Sequence, residues 1–279
     1  MKKLDIKLKL SAIIAISIAG MLGGVFILPA IAAAKIGSSI WLVFLVAAIC
    51  ILPAVLSKSE LATAMPASGG AYVYIERSLG PLLGTISGIG LWLSLLFKSA
   101  FSLVGLGAYL LVLINISPLY IKYFAIGFLI MIMLLNIFGV KKVGRFQVVI
   151  VALSLLTLVI MLFFLVPIIN NDLSSPFLQS GGFSFIGTVA FVIVAYAGVT
   201  KIAAIAGEIE NPTKDIPLAM FISLFVVSII YILISYTLIR NVSLSDLAID
   251  IKPIYTLASL FNIEWFSYFV AIIGIFTLI

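Results

Sequence analysis

The sequence has no histidine and a single cysteine, Cys50, among its 279 residues. One thiol forms no intramolecular disulfide, and the usual ligand sets for zinc are missing as well. Charged residues make up only 9% of the chain, and no Asp or Glu lies in the interior of a long apolar segment. An intramembrane enzyme needs a nucleophile with its base, or metal ligands, at membrane depth. These absences argue against an enzyme and predict neither a metal nor a cofactor.

Apolar residues dominate the chain, since 64% of it is hydrophobic and its mean hydropathy is +1.37. Such a composition is typical of a protein embedded in the lipid bilayer. A helix needs roughly 20 residues to cross the hydrocarbon core, so the pattern predicts an all-α integral membrane protein with an eighth span cut short. The apolar segments are Leu10–Ala34, Ile40–Leu56, Leu82–Ile114, Tyr123–Val140, Phe146–Ile169, Phe183–Ala206, Ile216–Ile239 and Ile263–Ile279.

The net charge is +6, and the placement of the basic residues indicates membrane orientation rather than nucleic-acid binding. With the N-terminus in the cytoplasm, most Lys and Arg outside the segments lie on the cytoplasmic side. Those residues are Lys2, Lys3, Lys7, Lys9, Lys58, Arg77, Lys141, Lys142, Arg145 and Lys214, against Lys35, Lys122, Arg240 and Lys252 on the other side. The sequence therefore predicts a multi-pass protein of the plasma membrane with a cytoplasmic N-terminus.

Two apolar segments are interrupted near their centres by small residues. The first contains Gly20, Gly23 and Gly24, and the sixth contains a weaker break, Ala-Tyr-Ala-Gly, at 195–198. Each glycine inside a helix costs about 1 kcal/mol relative to alanine, so such a cluster is expected where a helix opens. Close packing of neighbouring helices through small residues is the alternative explanation.

The positions of these two breaks favour a transporter. Segments one and six correspond in two successive five-helix units, which is where inverted-repeat transporters have their discontinuous helices. An opened helix leaves N–H and C=O groups that hydrocarbon cannot satisfy, so they pair with protein, water or a polar solute. A half-helix N-terminus suits a carboxylate and free carbonyls suit an ammonium. The zwitterionic head group of an amino acid matches both.

Four motifs occur in the order found in the amino acid-polyamine-organocation permeases. The hinge at 57–84 reads S-x-x-E-L-A-x-x-x-P-x-x-G-G-x-Y-x-Y and closes with G-P-x-x-G. The others are G-V-F-I-L-P at 24–29, N-x-x-G-V-K at 136–141, and an element that runs from the break at 195–198 to Ile-Pro at 216–217. Because these motifs extend over nearly the whole chain, the sequence resembles members of this superfamily specifically.

The resemblance implies the leucine-transporter fold, in which two inverted five-helix repeats are usually completed by two further helices. The first repeat then occupies residues 1–170, and residues 171–279 form a second repeat that is truncated in the eighth helix. Transport of amino acids or related amines is implied, by coupling to a proton or by exchange, with sodium as the other candidate ion. A non-transporting scaffold or receptor, or an inactive permease fragment, is the alternative.

The resemblance also implies a substrate site at the two breaks. Gly23 and Gly24 take the positions that contact the substrate carboxylate, and the carbonyls of Gly20 and Ala197 take those that contact its ammonium. Tyr196 either stands beside the second opening or packs in the core. The predicted substrate-binding residues are Ala19, Gly20, Met21, Leu22, Gly23, Gly24, Ser94, Leu95, Ser99, Val194, Ala195, Tyr196, Ala197 and Gly198.

Lys98 and Ser154 are the candidates for ion coupling. Many permeases of this kind carry a lysine in the fifth helix, where alignment places Ser154. If the third helix starts near Thr85, Lys98 lies about 20 Å along it, too deep to reach the cytoplasmic surface easily. We expect Lys98 to supply the central charge missing at Ser154, either as a titrating coupling group or as an attractor for an acidic substrate, or else to be tied to backbone carbonyls or to reach the outer face. Lys201 is expected to extend to the cytoplasm.

Overall fold

A computed structural model describes residues 8–67, 69–114, 120–137, 140–165 and 181–278. Within these ranges the protein is all-α, with one isolated extended pairing between Leu8 and Ile209. The helices are α1 (Leu10–Leu22), α2 (Leu28–Ile36), α3 (Ile40–Ala64), α4 (Ala71–Leu79), α5 (Pro81–Leu113), α6 (Ile121–Ile137), α7 (Val140–Leu165), α8 (Gly181–Tyr196), α9 (Lys201–Ala204), α10 (Pro212–Asn241), α11 (Leu244–Ile249), α12 (Pro253–Ser259) and α13 (Glu264–Leu278).

Two helices are discontinuous at the places where the sequence predicts breaks. The first discontinuous helix runs from α1 through the tighter 3₁₀ segment Gly23–Phe26 into α2. Pro29 lies in the first turn of α2, where no helical hydrogen bond needs its missing N–H. The second discontinuous helix runs from α8 through the 3₁₀ segment Ala197–Thr200 into the short α9. The regular α-helical hydrogen bonding is therefore interrupted in both helices.

The two discontinuous helices run antiparallel to each other. Next to the start of α1, the N–H of Leu8 donates to the carbonyl of Glu208 over 2.8 Å, and the N–H of Glu210 donates back to Leu8 over 3.2 Å. At the opposite end α2 packs against α8, and α10 lies along both α1 and α3. This arrangement brings one break against the other in the middle of the helices.

Among the described residues, five helical stretches are long and apolar enough to cross a membrane: Leu28–Ala64, Pro81–Leu113, Gln147–Phe164, Gly181–Ala204 and Pro212–Asn241. Shorter apolar helices cover Leu10–Phe26, Lys122–Met131 and Glu264–Leu278, so each predicted segment overlaps an apolar helix. The structure is thus that of a multi-pass, all-α membrane protein. Gly139 of the third motif and the predicted repeat boundary at 170 and 171 lie outside the described residues.

Glycines with positive φ shape the hinge between α3 and α5. Gly69 and Gly70, with φ of 131° and 64°, turn the chain into α4, and Gly80, with φ of 89°, turns it into α5. Residues other than glycine rarely adopt a positive φ, because they carry a Cβ. The hinge predicted from the glycine and proline pattern is therefore present as a short helix between two turns.

This hinge docks on the end of the second discontinuous helix. The N–H of Gly69 donates to the carbonyl of Ala204 over 3.2 Å. The buried Tyr74 donates its hydroxyl to the carbonyl of Ala203 over 3.3 Å. Movement of α9 is consequently linked to the segment that joins α3 to α5.

We expect the substitution Gly80→Ala to destabilise the protein. Gly80 has φ 89° and ψ 170°, a region that is essentially restricted to glycine and costs other residues about 1–3 kcal/mol. Thermal unfolding of the purified protein measures the loss. Gly90→Ala is the matched control, because a Cβ at Gly90 in α5 meets nothing within 4 Å and favours the helix. Equal melting temperatures for the two variants would contradict the claim that alanine is strained at position 80.

Candidate functional site

The two helix breaks meet at Gly20 and Gly198. A Cβ added to Gly198 would lie 2.5 Å from the carbonyl oxygen of Gly20 and 2.7 Å from the backbone nitrogen of Met21. A Cβ added to Gly20 would lie 3.1 Å from the Cα of Gly198. Only glycine fits at position 198 without displacing the first discontinuous helix, so the two breaks are in backbone contact.

Side chains from α5 and α10 donate hydrogen bonds to two carbonyls at the first break, those of Gly20 and Met21. The Lys98 ammonium donates to the carbonyl of Gly20 over 2.6 Å. The buried Tyr231 of α10 donates its hydroxyl to the carbonyl of Met21 over 2.9 Å. The same hydroxyl lies where a side chain at Gly24 would begin, which excludes any larger residue there unless Tyr231 moves. Polar groups released by the break are thus satisfied inside the protein.

Two more carbonyls at the breaks accept hydrogen bonds from hydroxyls. Tyr109 of α5 donates to the carbonyl of Phe26 over 3.0 Å, and Thr200 donates to the carbonyl of Ala197 over 2.8 Å. The carbonyls of Gly20 and Ala197, both predicted to receive a substrate ammonium, therefore already accept from side chains. Each oxygen keeps a second lone pair for another donor.

The ring of Tyr196 packs in the core. Its side chain is fully buried, and its hydroxyl donates to the carbonyl of Phe44 in α3 over 3.1 Å. The ring centroid lies 5.4 Å from that of Tyr231, which stacks on Phe44 at 4.6 Å. Ala195, its neighbour, faces the other break, since a Cβ added to Gly24 would lie 3.4 Å from the Ala195 Cβ.

Ser154 and Thr277 of α13 form a cluster of oxygens beside the first break. The Ser154 Oγ lies 2.6 Å from the Oγ1 of Thr277, and one of the two hydroxyls donates to the other. Each hydroxyl also lies within hydrogen-bond distance of a carbonyl in its own helix, that of Ile150 for Ser154 and that of Ile273 for Thr277. A Cβ added to Gly23 would lie 3.4 Å from the carbonyl oxygen of Thr277. Hydroxyl and carbonyl oxygens from α7 and α13 therefore meet beside Gly23, and oxygen is the ligand that hard cations prefer.

A cavity of about 80 Å³ lies beside the contact of the two breaks. Its walls come from α3, the hinge, α5 and the second discontinuous helix. It is lined by Lys58, Gly70, Ala71, Leu91, Ser94, Leu95, Lys98, Val194, Ala197, Thr200, Lys201, Ala203 and Ala204. Five predicted site residues are among them, three from α5 and two from the second discontinuous helix.

The other predicted residues lie outside this cavity lining. Met21 and Leu22 are buried in the core, and Ala19 is half-buried on α1. Ser99 is exposed and donates its hydroxyl to the carbonyl of Leu95 in its own helix. The structure therefore divides the predicted site into the glycine contact of the breaks and a separate cavity along α5.

Three lysines line the cavity, and only Lys98 was predicted from the sequence to belong to the site. Lys58 was counted with the loop charges, and Lys201 was expected to extend to the cytoplasm. The Lys201 side chain packs its methylene carbons on Gly20, since a Cβ there would lie 3.1 Å from Cδ and 3.2 Å from Cε. In the sequence, Lys58 and Lys201 are marked only as basic residues in or next to an apolar segment.

Four hydroxyls at the breaks were not predicted from the sequence: those of Tyr109, Thr200, Tyr231 and Thr277. Hydroxyl residues are common in membrane helices, where most of them bond within their own helix, as Thr157 and Thr237 do here. Nothing in the sequence separates the hydroxyls that reach across to a break from those that do not.

A family model for amino acid permeases matches residues 8–279, nearly the whole chain. The chain belongs to the amino acid permeases. This finding confirms the superfamily that the four motifs predict. The broken helices and the glycine contact described above are therefore features of a permease, and its relatives act as transporters rather than enzymes.

Several curated relatives show the range of the family. The branched-chain amino acid permease BcaP of Bacillus subtilis is 26% identical over 230 residues, which are 76% of this chain and 50% of that protein. Cationic amino acid transporter 5 of Arabidopsis thaliana is 33% identical over 42% of the chain and 21% of its own length. The glutamate/serine transporter AimA of Bacillus subtilis is 36% identical over 26% of the chain and 15% of its own length. The matched part thus spans at most half the length of these relatives.

Proposed function

We propose that this permease is a secondary active transporter that moves amino acids or related amines by alternating access. The substrate binds where the two discontinuous helices open. The contact of Gly20 with Gly198 carries this proposal, because it places two interrupted, antiparallel helices backbone to backbone. Interrupted backbone near the middle of a membrane helix is tolerated only where protein, water or a solute satisfies it.

The amino acid head group is bound by backbone groups at both breaks. Its carboxylate approaches the first break at Gly23 and Gly24, and the Tyr231 hydroxyl that now fills the space beside Gly24 moves to admit it. Its ammonium approaches the carbonyls of Gly20 and Ala197, on which Lys98 and a threonine hydroxyl now donate. Binding of substrate therefore requires these donors to share or leave the carbonyls, which couples substrate binding to the position of Lys98.

Two groups are proposed to couple transport to an ion. The oxygen cluster of Ser154 and Thr277 beside Gly23 has the donor chemistry for a sodium ion, which would be carried as a second substrate. Lys98 provides a mobile positive charge next to the first break and suits proton coupling or exchange. The two mechanisms differ in their dependence on external sodium and on pH.

The proposal also includes the arrangement of the two repeats and their orientation in the membrane. The first repeat comprises residues 1–170 and the second begins at 171, and their inverted orientation agrees with the antiparallel discontinuous helices. The N-terminus faces the cytoplasm and the protein resides in the plasma membrane.

Uptake into liposomes tests the proposed function. We expect the purified, reconstituted protein to accumulate or exchange at least one radiolabelled amino acid faster than protein-free liposomes. Sodium and pH gradients, applied separately, identify the coupling ion. Failure of all twenty amino acids and of simple amines, with protein confirmed as folded and inserted, would contradict transport by this chain and favour the alternatives, a scaffold or receptor or an inactive permease fragment.

A further inference from the structure

Three lysines from three different helices line the cavity beside the breaks. Lys58 comes from α3, Lys98 from α5 and Lys201 from α9, and no acidic residue contributes to the lining. Lys98 donates to Gly20, whereas Lys58 and Lys201 form no ion pair or hydrogen bond with any described residue. We refer to this space as the three-lysine cavity.

Such a cluster is unfavourable unless an anion joins it. Like charges in one small space repel each other, and ammonium groups withdrawn from water lose hydration. Lys98 and Lys201 lie within predicted membrane segments, where ionisable residues normally pair with a partner or face a water-filled cavity that has a function, and Lys58 joins them from just outside such a segment. Lys58 and Lys201 have unused N–H donors, and Ser94, which carries a hydroxyl, belongs to the same lining. A carboxylate accepts several such charge-assisted hydrogen bonds at once.

The size of the cavity limits what it can take. Its volume of about 80 Å³ is several times that needed for one water molecule. It is much smaller than the roughly 300–1,000 Å³ of sites that enclose a whole ligand. The three-lysine cavity therefore suits one polar substituent of a larger molecule.

Its position relates this substituent to the proposed substrate site. Ala197, whose carbonyl is proposed to receive the substrate ammonium, belongs to the cavity lining. Lys98 and Lys201 both reach Gly20 at the first break. A side chain that extends from an amino acid bound at the breaks thus enters the cavity within a short distance.

We infer that the three-lysine cavity binds the side-chain carboxylate of an acidic amino acid, so that the permease prefers substrates with a net negative charge. This inference rests on the proposed function, since the breaks must hold the amino acid head group. Neutral amino acids gain nothing from the lysines, and cationic amino acids are repelled by them.

Glutamate and glutamine provide a matched test because they have nearly the same size and differ in charge. We expect the reconstituted wild-type protein to bind or take up glutamate at least tenfold better than glutamine, and lysine least of all. Binding of each labelled amino acid to the purified protein and its uptake into liposomes measure this order. Equal binding of glutamate and glutamine would overturn the inference while leaving amino acid transport standing.

Substitution of the lysines connects the preference to the cavity. We expect Lys58→Met with Lys201→Met to lower the ratio of glutamate binding to glutamine binding about tenfold or more. Lys201→Arg retains charge and should keep much of the preference, and Lys122→Met, at the exposed start of α6, should not alter it. Retention of the full glutamate preference in the double variant would overturn the inference.

The carboxylate in the cavity could belong to the substrate side chain or to a free anion. Adding acetate at constant ionic strength distinguishes these two sources. Acetate that competes with glutamate but leaves glutamine unaffected supports the side-chain site. Acetate that enhances glutamine binding, with no preference for glutamate, would identify a site for free anions and overturn the acidic-substrate assignment. If no amino acid binds at all, the proposed function fails together with the inference.

Discussion

Gly198→Ala is expected to abolish transport and to lower stability. The added Cβ would lie 2.5 Å from the carbonyl oxygen of Gly20 and 2.7 Å from the nitrogen of Met21, which are backbone atoms that no rotamer change can move. Overpacking of this kind typically costs about 1–3 kcal/mol. The two breaks must separate, so the carbonyls proposed to bind the substrate ammonium lose their common geometry. Radiolabelled uptake and thermal unfolding of the same preparation measure both effects.

Gly187→Ala is the control for this experiment. Gly187 lies in α8, the first part of the same discontinuous helix, is exposed, and has no atom within 4 Å of an added Cβ. Because alanine favours a helix by about 1 kcal/mol over glycine, this variant should be as stable as the wild type or more so. Normal uptake by Gly198→Ala would show that the contact of the breaks is not required, and the proposed substrate site would have to be abandoned.

Lys98→Met is expected to reduce uptake about tenfold or more with little change in stability. Lys98 places a positive charge on the carbonyl of Gly20, and hydrogen bonds to charged groups contribute about 1.5–3 kcal/mol. Methionine fills similar space without a charge to desolvate, so folding loses little. Loss of the lysine also removes one proposed coupling group, and the pH dependence of any remaining uptake should flatten. Initial rates between pH 5 and 9 measure this effect.

Two comparisons distinguish this role from a structural one. Lys122→Met removes a lysine from the exposed start of α6 and should leave uptake and its pH profile unchanged. Lys98→Arg keeps the charge and should retain more uptake than Lys98→Met. A Lys98→Met protein with the wild-type rate and pH profile would exclude Lys98 from coupling. A large drop in melting temperature would instead assign the lysine to helix packing.

Local features of the sequence predicted much of the fold. Runs of apolar residues located the helices, and the glycines at 20, 23 and 24 predicted the opening that appears as the 3₁₀ segment Gly23–Phe26. Pro66 and the glycine turns predicted the hinge. These predictions succeed because helix length, glycine flexibility and the missing N–H of proline are properties of neighbouring residues.

The contacts that satisfy the breaks could not be predicted in this way. Tyr231 reaches Met21 from a position 210 residues later in the chain, and Ser154 meets Thr277 across 123 residues. Lys98 was singled out by its depth, yet the carbonyl of Gly20 as its acceptor follows only from how α5 is rotated against α1. Helix rotation depends on packing with several neighbours at once, which periodicity within one helix does not specify.

The sequence by itself determined that this protein lies in the membrane, that it is helical, that two of its helices are interrupted and that it resembles the permeases. Composition and local backbone preference are sufficient for those conclusions. Only the tertiary structure decided that Gly198 rests on Gly20 and that Lys58, Lys98 and Lys201 share one cavity. These groups lie on separate helices, and their convergence is a consequence of helix packing rather than of any local pattern.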